Sequence, residues 1–518
     1  MLSARRAFIR RAPRLCVGSA AARHSSSNAA ASQATPTEPS ATAGPWETSA
    51  QAPESGGGKA APWRLKELRQ QQGHHKQALI SRAGLAAGRL SYVQHSDRVV
   101  VQSQDSGAAV TLDAAALRDG CQCAACKDPS SGQRTFASVE IPSRIGVARV
   151  REKEDGLGVT FRNDVPRFSA DHETTVPWES LEVALGARAP ADTTAAIPPV
   201  FNAVRARAGI TLWDRATIAR RIRGVDYEAF MAAGDSDALW AVVLDLVRLG
   251  LVYLTGVPRD EASVVRIATR IANIRETFYG RTFDVRAKPN AENVAYTAGY
   301  LGLHQDLLYL DPPPKIQILH CLDNSCAGGE SLFSDGERAA RLLLHQHPAL
   351  AAPLRDRAVP YAYSRNGYSY ARRRPLLHHD ADGAFENVFW SPPFQGGRPA
   401  DEPALGPWLR GARVFEALIN GDAAMYQRKM RPGECVLFDN LRVMHGRTAF
   451  DAAGGGSRWL RGAYIAQEDF VSVATQIPQA LLAKTAADDA VWYDGHADKL
   501  RAREAWTAEA QALVDKET

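Results

Sequence analysis

The sequence predicts a mostly β protein with helical buttresses, in which a small β domain precedes a larger sandwich or jelly roll. Three observations carry that expectation. Residues 86–186 hold short alternating runs separated by turn residues, with no long amphipathic helix among them. Two stretches with strong helical spacing, SDALWAVVLDLVRLG and EASVVRIATRIANIRE, come next. They are followed by many separated strand-like runs, which suits a β core braced by helices.

The chain opens with MLSARRAFIRRAPRLCVGSAAARHSSS. Residues 1–37 hold six arginines (Arg5, Arg6, Arg10, Arg11, Arg14 and Arg23) and no acid, Glu38 being the first. A basic segment rich in Ser and Ala, without the apolar core of about 7–15 residues that marks a secretory signal, predicts a mitochondrial transit peptide over 1–27 and a matrix location. The competing reading is a disordered basic tail. The formal charge of +5 falls to −1 once those six arginines are removed, so the rest of the chain carries no nucleic-acid footprint. No run of about 18 apolar residues is present to span a bilayer. Residues 28–85 begin with a tract of Ala, Ser, Thr, Pro and Gly and read as a flexible linker.

Residues 86–186 form the expected first domain. RLSYVQHSDRVVVQ alternates around a His-Ser-Asp turn, AAVTLDAAALRDG leads to the cysteines, and GLGVTFRND and HETTVPWESL follow. Seven cysteines in the chain, an odd number unevenly spaced, argue against a disulfide framework. Three of them, Cys121, Cys123 and Cys126, crowd into CQCAAC. Thiolates this close can converge on a soft cation, and structural zinc takes four S or N ligands in a tetrahedron. His172 is the fourth candidate, the only histidine between the cluster and Val200. The competing reading is a reduced thiol cluster without metal.

The second domain spans 199–485, and 486–518 read as a C-terminal helical tail. After the helices come ENVAYT, KIQILHCL, SLFSDG, ENVFW, ECVLFDN and RGAYIAQ, each strand-like. LGLHQDLLYL places His304 and Asp306 two apart in an apolar run, and DNLRVMHGR places His445 after a buried strand. Two imidazoles and one carboxylate on one face of a metal leave three positions open and suit Fe(II). A 2-oxoglutarate co-substrate would chelate that iron, and its far carboxylate would need a fixed cation. Arginine supplies a planar fork for it. Arg458 is the candidate, with Ser331 a hydroxyl donor to the same carboxylate; Arg447 and Arg461 are rivals that spacing does not separate. His74, His75, His345, His347, His378 and His379 read as loop or surface residues, and His320 as a hydrogen-bonded strand residue.

Taken together, RETFYGRTFDVRAKPNAENVAYT, LHQDLLYLDPPPKIQILHCL, GGESLFSDG and FDNLRVMHGRTAF…SRWLRGAY resemble the gamma-butyrobetaine dioxygenase and trimethyllysine dioxygenase family. The Cys-x-Cys-x2-Cys cluster with a later histidine is similar to that family's N-terminal zinc domain. The resemblance covers residues 86–485. It implies a double-stranded β-helix core, Fe(II)- and 2-oxoglutarate-dependent hydroxylation of a trimethylammonium compound in carnitine biosynthesis, and a homodimer. It implies iron ligands at His304, Asp306 and His445, and the 2-oxoglutarate anchor at Arg458.

The same resemblance implies a substrate cage at Tyr279, Phe283, Tyr296 and Tyr464, since ring faces attract a cation that cannot hydrogen-bond. Phe283 stands where the better-known members carry tryptophan. Asn293 matches one polar contact to a substrate carboxylate. The second such contact falls in ENVFWSPPFQGG, where Ser391, Pro392 and Pro393 depart from the family's Asn-Asn pair, and proline has no N–H to donate. Core packing is the other reading of the aromatic set. Three functions therefore compete: gamma-butyrobetaine hydroxylation, a paralogous oxygenase on trimethyllysine or a non-betaine substrate, and a zinc-containing structural protein with an idle oxygenase site.

Overall fold

Ser236 caps the helix Asp237–Arg248, its hydroxyl accepting from the Leu239 N–H at 3.1 Å. Nearly all of this helix is buried, and the chain turns at Gly250 into the strand Leu251–Thr255. That strand belongs to the larger of two sheets at the centre of the protein. The computed structural model describes residues 76–81, 89–186, 200–234, 236–287, 296–380, 383–397, 405–451, 454–485 and 503–517.

The larger sheet has six strands in the order Phe283–Val285, Arg458–Ile465, Ile316–Asn324, Cys435–Asp439, Leu251–Thr255 and Gly224–Asp226. All neighbours are antiparallel except the last pair. The smaller sheet runs Leu301–His304, Val443–Arg447, Ser331–Asp335 and Tyr426–Arg428, all antiparallel. Strand periodicity decides what each face meets. Ile316 and Ile318 point to one side with Val252, Leu254 and Leu437, packing on helix residues Leu244, Val247, Ile267 and Phe470. Leu319, Phe438 and Leu460 point to the other and share a core with Leu303, Phe333 and Met444 of the smaller sheet. Because both faces are covered, the central strands read as continuous apolar runs. The protein is mostly β with helical buttresses, a two-sheet jelly roll with helices on the outer face of its larger sheet.

Residues 76–186 build two further sheets: a four-stranded meander over Lys76–Ser81, Arg89–Gln94, Arg98–Ser103 and Ala109–Asp113, and a three-stranded one over Gly146–Glu152, Gly156–Arg162 and Glu173–Pro177. Their core gathers Leu90, Val99, Val101, Leu157, Phe161 and Trp178. The strand Lys76–Ser81 lies inside the stretch expected to be linker; it pairs with Arg89–Gln94, and pairing partners overrule local composition. The hairpin Ala358–Arg365 and Tyr368–Pro375 was not anticipated from hydrophobic spacing. Its signal is Asn366-Gly367, both at positive φ (54° and 79°), the turn that matches strand twist. His378 and His379 lie in a short strand rather than a loop. His320 lies in a strand as expected, but neither ring nitrogen meets a hydrogen-bond partner among the described residues. Burial pushes its imidazole down to about 4. The helix Glu504–Glu517 falls within the expected tail, and no helix among the described residues is long and apolar enough to cross a membrane. His74, His75, Asn293 and the segment 1–27 lie outside the described residues.

Candidate active site

The strand Leu301–His304 ends at His304, which pairs directly opposite His445 on Val443–Arg447. The two imidazoles therefore stand side by side, ring centroids 4.3 Å apart. Just beyond, Asn440 grips the Asp306 backbone from both sides. Its Oδ1 accepts from the Asp306 N–H at 2.8 Å, and its Nδ2 donates to the Asp306 carbonyl at 3.0 Å. The next residue, Leu307, sits at φ 59°, a conformation a leucine rarely adopts, and turns the chain back toward the cavity. As a result Asp306 Oδ1 lies 3.4 Å from His304 Nε2 and Oδ2 lies 3.8 Å from His445 Nε2.

The chemistry of this donor set fits a divalent metal. His304 Nδ1 lies 2.8 Å from the Gly302 carbonyl, which keeps the proton on Nδ1 and leaves the Nε2 lone pair facing Asp306. Burial pushes the His445 imidazole down to about 3, so it stays neutral. Burial opposes ionisation of Asp306, but the neighbouring His304 and His445 and the Tyr464 hydroxyl outweigh it and hold the carboxyl well below its usual range. Two imidazoles and one carboxylate, all within 4.8 Å of one another, suit a facial iron site. Tyr464 Oη and Gln317 Nε2 each donate to Asp306 Oδ2 at 2.8 Å.

A cavity opens beside this triad. Arg458 and Ser331 are on its wall. The Arg458 guanidinium is buried and makes no ion pair among the described residues; its nearest acceptor is the Gly329 carbonyl, 3.5 Å from Nε. Burial, and then the charge of Arg447, lower it to about 10, a strain that a bound anion would relieve. A side chain at residue 329 would stand 3.1 Å from Arg458 Cδ, and φ there is +74°, so only glycine leaves room for this arginine. Of the rivals, Arg447 donates to the carbonyls of Thr297 and Gly299 at 2.8 Å each. Arg461 pairs with Asp284 and Glu261 and is not on the wall. A buried guanidinium on the same cavity wall as the Ser331 hydroxyl fits the far carboxylate of a dicarboxylic co-substrate.

The four aromatic residues named from the sequence all line the cavity. Phe283 stacks on Tyr464 with centroids 4.8 Å apart, and Tyr279 stands 6.2 Å from Phe283 and 6.5 Å from Tyr296, the latter edge-on. Phe283 lies opposite Gly462, where any Cβ would come within 2.3 Å of its ring. Sequence reasoning missed Asn440, Gln317, Tyr309 and Phe394. The one available signal was Asn440, an uncharged polar residue closing the apolar strand CVLFD.

A second cluster joins Cys121, Cys123 and Cys126 to His172. His172 Nε2 lies 3.6, 3.5 and 3.2 Å from their sulfurs. A zinc tetrahedron with ordinary Zn–S and Zn–N bonds has S···N edges of about 3.6 Å. His172 Nδ1 lies 2.9 Å from Asp164, which also pairs with the buried Arg118. Arg118 sits against both Phe136 and Phe168, 4.4 Å from each ring centre. Asp164 thus fixes the histidine tautomer that presents Nε2, the arrangement expected behind a metal-binding histidine.

The sequence matches two family models. Residues 211–464 match that of the taurine catabolism dioxygenase TauD, TfdA family, and residues 91–182 match gamma-butyrobetaine hydroxylase-like, N-terminal. The chain is 34% identical over 362 residues to Dioxygenase str8 of Strobilurus tenacellus, covering 67% of this chain and 81% of the relative. It is 31% identical over 360 residues to gamma-butyrobetaine dioxygenase of Pseudomonas sp. (strain AK-1), covering 69% and 88%. It is 25% identical over 400 residues to the mitochondrial trimethyllysine dioxygenase of Mus musculus, covering 74% and 86%. With relatives this similar along most of their own length, the chain belongs to the TauD/TfdA family of 2-oxoglutarate-dependent dioxygenases, in the group of gamma-butyrobetaine and trimethyllysine dioxygenases.

Proposed function

We propose that this dioxygenase hydroxylates an unactivated C–H bond of a small trimethylammonium compound, with gamma-butyrobetaine, a carnitine precursor, as its first candidate. The observation that carries the reading is the sharing of one cavity by the His304, Asp306 and His445 triad, Arg458, and the four rings of Tyr279, Phe283, Tyr296 and Tyr464. In this reading His304, Asp306 and His445 hold Fe(II), and Arg458 with Ser331 holds the far carboxylate of 2-oxoglutarate. Bound iron supplies the oxygen chemistry, one oxygen atom passing to substrate and the other to succinate as 2-oxoglutarate loses carbon dioxide.

The protein's share is positioning and exclusion of water. Tyr464 and Gln317 both donate to Asp306 Oδ2 and so hold the carboxylate's orientation. The aromatic faces attract a quaternary ammonium without a hydrogen bond and orient one C–H bond toward the triad. The zinc reading of Cys121, Cys123, Cys126 and His172 is supported by the tetrahedral edge lengths and by Asp164 behind the histidine. The basic, acid-free segment 1–27 supports import into mitochondria, the location in the name of the mouse relative. Incubating the protein with Fe(II), 2-oxoglutarate and either gamma-butyrobetaine or trimethyllysine tests the reading. Succinate and a product heavier by one oxygen atom should appear together; succinate release indifferent to both amines would refute it.

A further inference from the structure

We infer that Gln305 and Arg374 are positioning residues that tie one wall of the cavity to the segment bearing the metal donors, so that a substrate seated against that wall sets the aim of Asp306. This rests on the oxygenase reading above and concerns how that site couples substrate to chemistry.

Gln305 stands between His304 and Asp306 and is fully buried. Its side chain reaches Trp390, whose N–H donates to Oε1 at 2.7 Å, and its own N–H donates to the Trp390 carbonyl at 2.9 Å. Two bonds thus lock residue 305 to the start of the segment that leads into the 3-10 turn Pro392–Phe394. Phe394 lies on the cavity wall.

Beyond Asp306 the same segment is held again. Arg374 donates from Nε to the Leu308 carbonyl at 2.8 Å and from Nη2 to the Leu310 carbonyl, and it faces Asp311 at 3.3 Å. Tyr309, between those carbonyls, lines the cavity. Its ring stacks on Tyr363 of the hairpin that carries Arg374, at 5.3 Å, and meets Phe394 edge-on at 5.4 Å. The hairpin and the turn are themselves joined. The Tyr361 hydroxyl donates to the Phe389 carbonyl at 2.8 Å, and the Gly396 N–H donates to the Pro360 carbonyl at 2.9 Å.

Asp306 is therefore bracketed. Residue 305 is fixed to the turn, residues 308 and 310 are fixed to the hairpin, and Leu307 between them holds a φ of 59° that leaves little slack. Asn440, Tyr464 and Gln317 grip Asp306 from the side of the larger sheet. Gln305 and Arg374 supply the opposite link, to the wall that a substrate touches. Hydroxylation needs the reacting C–H bond held in a near-attack position, and a misplacement of about 1 Å is enough to lose most of the rate. A wall tied to both sides of a metal donor meets that need.

The test compares full-length wild type with three variants. Gln305→Met removes the accepting oxygen at similar length, Gln305→Glu keeps an oxygen there, and Arg374→Met keeps the apolar stem. Calorimetry gives Fe(II) and 2-oxoglutarate affinity, and mass spectrometry gives hydroxylated product per succinate with gamma-butyrobetaine or trimethyllysine. Both methionine variants should bind Fe(II) and 2-oxoglutarate as wild type does, yet yield about tenfold less product per succinate. Gln305→Glu should return toward the wild-type ratio. Should Gln305→Met fail to fold, Arg374→Met carries the same test. An unchanged ratio in the folded methionine variants overturns the inference. Iron affinity lost in step with product also overturns it, since the two residues would then be plain supports of the donor set. A wild type that makes no product from either amine sinks the reading above instead.

Discussion

The Tyr464 hydroxyl donates to Oδ2 of Asp306 at 2.8 Å while its ring stacks on Phe283 at 4.8 Å. One side chain therefore belongs both to the aromatic box and to the support of a metal-facing carboxylate. Tyr464→Phe separates the two roles because it keeps the ring and removes the hydroxyl. Iron affinity should fall about 10-fold or more, the usual effect of losing an outer hydrogen bond to a ligand. The apparent KM for a cationic substrate should change little. Tyr464→Ala should lower iron affinity and raise KM together, by roughly tenfold for a desolvated cation–π contact. Iron titration alongside steady-state kinetics reads both, and a KM unmoved in the alanine variant would assign the ring to the core.

Arg458→Met should leave iron binding intact and weaken 2-oxoglutarate about a hundredfold or more, since unpairing a buried charge costs about 3–5 kcal/mol. Arg447→Met should act mainly on stability, because that guanidinium ties down the carbonyls of Thr297 and Gly299. Calorimetric titration of 2-oxoglutarate into each variant decides between them. Wild-type affinity in Arg458→Met would move the anchor to another cation.

For the cysteine cluster, Asp164→Asn keeps the shape and removes the charge that orients His172 and pairs Arg118. Zinc affinity, measured against a competing chelator, should drop about 10–100-fold. Cys123→Ser should lose zinc and lower the melting temperature. Equal zinc content in wild type and Cys123→Ser would place any zinc elsewhere.

Gly462→Ala puts a methyl into the Phe283 ring. Relief requires the ring to move off Tyr464, so stability should fall by about 1–3 kcal/mol, with a raised KM for substrate. Urea unfolding gives the first quantity and kinetics the second. A fully stable, fully active variant would show that the ring has room to shift.

Glu337 is buried among Arg205, Arg341 and Arg442. Burial alone would raise its carboxyl, but the three guanidinium groups bring it down to about 2. A carboxyl depressed on folding stabilises the protein above its unfolded pKa of about 4.3, and that stability is lost as pH falls toward 2. Glu337→Gln should therefore be less stable at neutral pH and show a shallower loss between those values. Acid unfolding followed by circular dichroism checks the slope; parallel curves for the two proteins would refute the assignment.

The sequence by itself determined the candidate metal donors and the mostly β character of the chain. Cys121, Cys123, Cys126 and His172, like His304, Asp306 and His445, were nameable because only a few side chains can bind a metal, and close spacing narrows them further. Central strands such as Ile316–Asn324 and Cys435–Asp439 announced themselves as apolar runs. Only the tertiary structure distinguishes Arg458 from its rivals as a candidate, because the distinction depends on which buried guanidinium makes no ion pair among the described residues. It alone showed Asn440 gripping Asp306 from 134 positions away and Tyr464 reaching the same residue from 158. The same holds for Asp164 behind His172. Donor chemistry is a property of a residue's own atoms and survives in a linear string; orientation, burial and charge satisfaction are properties of neighbours, and strand pairing creates those neighbours.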